Sequence, residues 1–202
     1  MNAQDTVQQI GFGSNYNYGI ELTYSKPYFF DNQFGNWFPS PNGIRFNSRI
    51  GDSGLGISLS TDYYNIIYSK TSNTGNHFGE TSKRQILLIS GGIENNLVIK
   101  KNAILKAYLG SCFRLGSESI ILSYSSDDSI LRGFRLNDIG ITIGLSTQHK
   151  ITGRYYISTN LRFTGFPYLH TSEVVIASQV IRPSRFMLSV GVSFGALFGR
   201  RK

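Results

Sequence analysis

The residues best placed for chemistry are His170, Thr171 and Ser172. Side chains repeat every two residues in an extended segment, so His170 and Ser172 would share a face as a base and a hydroxyl nucleophile. Glu173 would point to the opposite face, and no residue from Val174 to Lys202 is an acid. Because a catalytic histidine needs a third group to orient it, two ordinary loop residues are the simpler reading. A second set is ionic: Glu21, Arg45, Arg49, Asp62, Lys106, Arg114, Arg154 and Arg162 fall on the face opposite large apolar neighbours. If that face is interior, these charges must pair or hydrogen-bond, since an unpaired buried ion is strongly destabilising. A third set is aromatic: Tyr28, Phe29, Phe30, Phe34, Trp37 and Phe38, with Pro39 and Pro41 following. Part of it suits a membrane-interface girdle, and its density suits burial against a partner or a long lipid. His77, His149 and His170 lie far apart, and Cys112 is the single cysteine, so neither a disulfide nor a cysteine metal site is expected. No Walker loop, Rossmann fingerprint or zinc motif occurs; Gly11-Phe12-Gly13 reads as strand, and no cofactor is expected.

What would position these groups is a series of two-faced strands. From Ile10 to Lys26 the even positions (Ile10, Phe12, Tyr16, Tyr18, Ile20, Leu22, Tyr24) are mostly large and apolar, whereas the odd ones are Gly, Asn, Glu and Thr. The closing segment repeats this, with Phe186, Leu188, Val190, Val192, Phe194, Ala196 and Phe198 against Met187, Ser189, Gly191, Ser193, Gly195 and Leu197. Six more strands are predicted at 43–50, 55–69, 83–98, 103–115, 132–147 and 152–165. The stretch 83–98 is the least regular, because Ile86 and Leu88 fall on the inner face. The apolar phase slips between Leu136 and Ile139, which predicts a bulge.

Connection lengths alternate. Links near 51–54, 99–102 and 147–151 are short, whereas those near 27–42, 70–82, 116–131 and 166–183 are long and rich in Ser, Asn, Gly and charge. Short periplasmic turns and long external loops are the habit of outer-membrane barrels. Four long and three short links place both termini on the periplasmic side. A single domain over 1–202 is expected, with 1–9 as a periplasmic N-terminal segment and 199–202 as a periplasmic tail. The basic pairs Lys83-Arg84, Lys100-Lys101 and Arg200-Arg201 fall at a strand start, a turn and the tail, as solvated ends.

Composition agrees. The chain has 202 residues with 40% hydrophobic, 13% aromatic and only 16% charged residues. No run approaches the roughly 20 apolar residues of a spanning helix. A mean hydropathy of −0.14 is compatible with a barrel, whose strands need apolar residues at alternate positions only. A soluble sandwich would show Lys and Glu opposite its apolar face; here that face is Gly, Ser, Thr and Asn with few charges. The opening Met1–Asp5 resembles the remnant of an export-signal cleavage site. The net charge of +8 suggests anionic neighbours. Scattered bases without a recognition helix argue against nucleic acid, and lipopolysaccharide phosphates or acids inside a barrel fit better. The expected fold is all-β, an antiparallel up-and-down transmembrane β-barrel of about eight strands.

On Ile10–Lys26, the Gly51–Gly54 hairpin and Phe186–Phe198, the chain resembles the small eight-stranded outer-membrane barrels of the OmpA/OmpX type. The closing strand resembles the aromatic-ended signal by which assembly machinery recognises such proteins, although four residues follow Phe198. The Asn-Ala-Gln start and Gly-Val-Ser-Phe-Gly at 191–195 are similar to the Bacteroidota version, which includes secretion and envelope-assembly accessories. His170 and Ser172 resemble the His-x-Ser pair of outer-membrane lipid A deacylases, but lack the acid that family places after it.

These readings set definite expectations. Glu21 should pair with one or more inward arginines, Arg45 and Arg162 being the candidates. A network of Glu21, Arg45, Arg49, Lys106 and Arg162 should plug the lumen rather than form an ion path, because an eight-stranded interior is just wide enough for side chains. Phe30, Phe34, Trp37 and Phe38 are candidates for partner or lipid contact. The expected role is non-enzymatic: a structural or accessory subunit of an envelope complex for secretion or outer-membrane assembly, among outer-membrane lipids and lipopolysaccharide. The alternatives are a lipid A-modifying enzyme built on His170 and Ser172, and a narrow pore.

Overall fold

The computed structural model describes residues 16–30, 42–51, 54–71, 79–123, 129–169, 174–176, 179–181 and 184–200. Ten strands follow in order: β1 (Tyr16–Phe29), β2 (Asn42–Gly51), β3 (Leu55–Thr71), β4 (Gly79–Ile99), β5 (Ala103–Ser123), β6 (Ser129–Thr152), β7 (Tyr155–Leu169), β8 (Val174–Ile176), β9 (Gln179–Ile181) and β10 (Phe186–Arg200). Eight of them close an antiparallel barrel in the order β1-β10-β7-β6-β5-β4-β3-β2, and β8 pairs with β9 as a separate ribbon. Closure is direct: Leu22 on β1 is in register with Phe46 on β2 and with Phe194 on β10.

The two-residue period sorts the side chains. On β1, Tyr18, Ile20, Leu22, Tyr24 and Tyr28 face outward and are exposed, while Glu21, Thr23 and Ser25 are buried inside. The same split holds for Ile44 and Phe46 against Arg45 and Asn47, and for Val190, Val192 and Phe194 against Ser189 and Ser193. A polar interior with an apolar exterior is the reverse of a soluble protein, and only hydrocarbon outside makes it stable. Aromatic pairs bracket the apolar belt. Phe163 packs on Phe186 and Phe30 toward the long-connection end, with centroids 5.8 and 6.2 Å away, and Tyr155 stacks on Phe194 toward the other. Phe163 and Tyr155 are separated by about 26 Å of strand, which at a tilt of about 40° is roughly 20 Å of height, on the scale of the ~25 Å apolar band of such barrels.

Tyr16 is in register with Arg200, so the first and last described residues meet at the end that carries the short links around 52–54, 100–102 and 153–154. Gly153 takes a left-handed φ of 48° in the last of these, a conformation that glycine adopts without penalty. The opposite rim is uneven. β3 to β6 have 17, 21, 21 and 24 residues, whereas β2 has 10 and β1 14. Asn42 meets Asn65 at the start of β2, so residues 66–71 of β3 continue beyond it, paired with β4 alone among the described residues. Likewise β6 pairs with β5 from Ser129, but with β7 only from Asp138.

The expected long link 116–131 is therefore mostly strand, and 70–82 is strand at both ends, with 72–78 and 124–128 outside the described residues. Their Ser- and charge-rich composition resembled loop because strand that stands clear of lipid needs no apolar outer face. The bulge also differs. Leu136 points inward and Ile139 outward without a phase change; the register shifts one step on, where Ile139 meets Tyr168 but Ile141 meets Gly165. The extra residue belongs to β7, around Phe166-Pro167. Residues 10–15, the N-terminal segment 1–9, and the tail residues 201–202 lie outside the described residues, while β10 runs on to Arg200.

Candidate functional site

The interior of the barrel is filled by interlocking polar side chains. At the short-turn end Ile104, Tyr156 and Leu197 form an apolar floor with Tyr16 packed against it. Directly above, Glu21 accepts hydrogen bonds from Tyr156 Oη at 3.2 Å, Asn160 Nδ2 at 3.0 Å and Gln148 Nε2 at 3.5 Å. Glu94 lies at the same level, 3.3 Å from Arg49 Nε and 3.7 Å from Lys106 Nζ. Between these groups is a space of about 10 Å³ open to a water's centre, the size of about one water.

Higher up, Arg45 pairs with Asp62, and its Nη2 donates to Ser189 Oγ at 3.2 Å. Tyr64 Oη donates to the same Asp62 oxygen at 3.1 Å. Arg162 donates to Ser60 Oγ at 2.8 Å, with its guanidinium 4.5 Å from the Tyr108 ring centroid. Toward the long-connection end Arg114 pairs with Asp138 at 2.7 Å, lies 3.9 Å from the Phe166 centroid, and donates to the Ser184 carbonyl at 2.9 Å. Ile86, Leu88, Leu136 and Met187 are also buried in the interior, with Leu88 in register with Arg114. Several of these bonds join residues over 100 apart in sequence, such as Glu21–Asn160 and Arg45–Ser189 near the β1–β10 seam, and Arg162–Ser60 spans the lumen between opposite strands.

Two tyrosines are set by glycines on the neighbouring strand. Tyr156 is in register with Gly195, where an added Cβ would stand only 2.2 Å from Tyr156 Cζ. Tyr64 is in register with Gly43, and a Cβ there would stand 2.5 Å from Tyr64 Cε1 and 2.7 Å from the Tyr63 carbonyl oxygen. Each ring thus lies flat on a glycine and presents its hydroxyl to one buried carboxylate.

Glu21, Arg45, Arg49, Lys106 and Arg162 all point inward and are buried, as do Asp62 and Arg114. The expected pairing is corrected: neither Arg45 nor Arg162 reaches Glu21, which is held by neutral donors. Register explains this. Arg45 is beside Thr23, one inward position above Glu21, and directly opposite Asp62 on β3; Arg162 reaches across to Ser60. Arg154 is also corrected, because it lies in the β6–β7 turn, exposed, over the rings of Tyr155 and Phe198. The Lys83-Arg84 pair is not a solvated end: Lys83 faces out, whereas Arg84 is fully buried 4.2 Å from the Phe29 ring centroid. Phe30 sits outward in the aromatic girdle. Phe34, Trp37, Phe38, His170 and Ser172 lie outside the described residues. Glu94 and Asp138 were missed, although their positions between the outward pairs Ile93/Asn95 and Asn137/Ile139 are the signal that marks them as inward. Among the described residues no cluster of His, Cys, Asp or Glu could hold a metal.

No protein-family model and no curated protein matches the sequence. Solved structures do match in shape. A major outer membrane protein from Thermus thermophilus superposes with a TM-score of 0.56 at 10% identity, over 90% of this chain and 99% of that one. The attachment invasion locus protein Ail of Yersinia pestis gives 0.51 at 12% identity, over 92% and 99%. Neisserial surface protein A gives 0.51 at 10% identity, over 91% and 97%. The chain has the fold of the small outer-membrane β-barrels. Within that fold the eight barrel strands account for the exterior apolar belt. At these identities the likeness extends to architecture alone.

Proposed function

We propose that the protein is a non-enzymatic barrel of the bacterial outer membrane that acts by contact, as a structural or accessory subunit of an envelope complex serving secretion or outer-membrane assembly. The observation that carries this reading is the filled lumen. Side chains joined across the interior leave a space no larger than about one water at the level of Glu21 and Glu94. Among the described residues this network offers solute no wide route, which supports a working surface outside the lumen. The long-connection rim offers that surface. Residues 66–71 of β3 extend past β2 with a strand edge that no described residue pairs, and such an edge accepts an added strand from another chain. Lys26, Lys83, Arg135 and Arg185 are exposed toward the same end and suit lipopolysaccharide phosphates.

Purification of the full chain in mild detergent, after photocrosslinking from position 68 on the β3 edge or position 37 in the first connection, tests the proposal. A reproducible envelope-protein adduct is expected, and the absence of any adduct from either position argues against a contact role. In planar bilayers the purified barrel should show no stable conductance above leak. Steady channels would favour a narrow pore instead, and altered lipid A acyl chains in cells expressing the protein would favour an enzyme.

A further inference from the structure

Exposed cations are unevenly placed on the short-turn rim. Lys100 and Lys101 stand in the β4–β5 turn, Lys150 lies near the end of β6, and Arg154 occupies the β6–β7 turn; all four are exposed. The turns are tied side by side, since the Lys150 amide donates to the Asn102 carbonyl at 2.8 Å and the Leu197 amide to the Arg154 carbonyl at 3.0 Å. No acid occurs anywhere in 95–117 or 139–172, so nothing along these strands neutralises the group. The β2–β3 turn, Gly51-Asp52-Ser53-Gly54, carries no cation, and the end of β10 beside β1 adds one residue of that sign, Arg200.

Beside the cations the exterior is apolar. Val98, Ile99 and Ile151 are 44%, 40% and 55% exposed, so the charged corner is continuous with the lipid-facing belt. The Arg154 guanidinium is 5.3 Å from the Tyr155 ring centroid and 5.0 Å from that of Phe198, which holds its charge at the level of the aromatic girdle.

We propose that this corner binds the phosphate of an anionic phospholipid in the leaflet on the short-turn side, with the acyl chains lying on Ile99 and Ile151. An acidic protein could meet the cations from water but would leave the adjoining apolar residues uncovered. A lipid satisfies both, because one molecule carries the anion and the chain in this spatial order. Together the four exposed cations should favour an anionic headgroup by roughly five-fold in binding, the worth of about one full-strength basic contact at a membrane surface. The inference rests on the membrane-spanning barrel and not on the accessory role, so failure of either leaves the other standing.

The test uses the full chain in phosphatidylcholine vesicles, with spin-labelled phosphatidylglycerol and spin-labelled phosphatidylcholine as paired probes. Phosphatidylglycerol should associate with the barrel about five-fold more strongly than phosphatidylcholine, and less so at high salt. Combining Lys100→Gln, Lys101→Gln, Lys150→Gln and Arg154→Gln should bring the ratio close to one, whereas Thr147→Ala with Thr159→Ala, an uncharged outward pair on β6 and β7, should leave it unchanged. Heat-modifiable gel mobility reports whether each variant is folded. If the quadruple variant does not fold, Lys100→Gln with Lys101→Gln, which spares the Arg154 ring contacts, should still lower the ratio by about half. Equal ratios in the wild type and the short-turn variants overturn the proposal, as does an equal loss of preference in the Thr147 and Thr159 control.

Discussion

Replacing Asp62 by alanine should lower the unfolding free energy by about 3–5 kcal/mol, as measured by urea titration of the refolded barrel in detergent or lipid. Asp62 is 1% exposed and accepts from both Arg45 and Tyr64. Its removal strands the Arg45 guanidinium, itself 2% exposed, in a closed interior where water cannot replace the lost carboxylate. The size of the effect comes from the orphaned charge rather than from the worth of the pair. The double replacement Arg45→Met with Asp62→Leu should therefore recover most of the loss. Glu21→Gln should cost less, about 1–2 kcal/mol, because its partners are neutral donors that a glutamine oxygen still accepts from. An Asp62→Ala barrel within about 1 kcal/mol of wild type would mean that the lumen is wetter than its geometry allows.

Introducing alanine at Gly43 should cost about 2–3 kcal/mol, large for a single methyl group. The new Cβ would stand 2.5 Å from Tyr64 Cε1 and 2.7 Å from the backbone oxygen of Tyr63, and only the ring could move away. Tyr64 has no room, being 0% exposed, and its displacement would break the bond to Asp62. The two changes are thus coupled: in a Tyr64→Ala background the Gly43→Ala cost should fall to about 1 kcal/mol, the remainder coming from the Tyr63 carbonyl oxygen, a coupling that a double-mutant cycle reads directly. Additive costs in the cycle would refute the stacked arrangement. The Gly195 and Tyr156 pair should behave in the same way through Glu21.

Face was legible in the sequence; azimuth was not. The alternation around Ile20-Glu21-Leu22 or Ile44-Arg45-Phe46 announces which side chains point inward, because a period of two admits only two faces. It does not tell how far around the barrel, or at what height, an inward residue meets another. Glu21 was placed inside correctly yet matched to the wrong partners, since Arg45 stands one inward step above it and Asn160 comes from two strands away. Arg154 kept the phase of its strand on paper but fell in the turn, where the phase ends. Glu94 sits in the stretch whose inner positions also hold Ile86 and Leu88, and those apolar residues blurred the pattern that would have revealed it. The tall wall of β3 to β6 was hidden for a related reason: hydropathy alternates only where lipid touches the strand.

The bonds that span the lumen also bear on how the chain reaches its membrane. Glu21 and Arg162 acquire their cross-strand partners only when strands distant in sequence have come together, the last seam being β1 against β10, whereas Arg45 and Arg114 already meet Asp62 and Asp138 on the next strand. An unclosed sheet lying in hydrocarbon would turn Glu21 and Arg162 toward lipid tails without these partners, a state too costly to be populated. Crossing the bilayer and sealing the cylinder must therefore happen together for this chain, and thicker bilayers should delay both by the same factor.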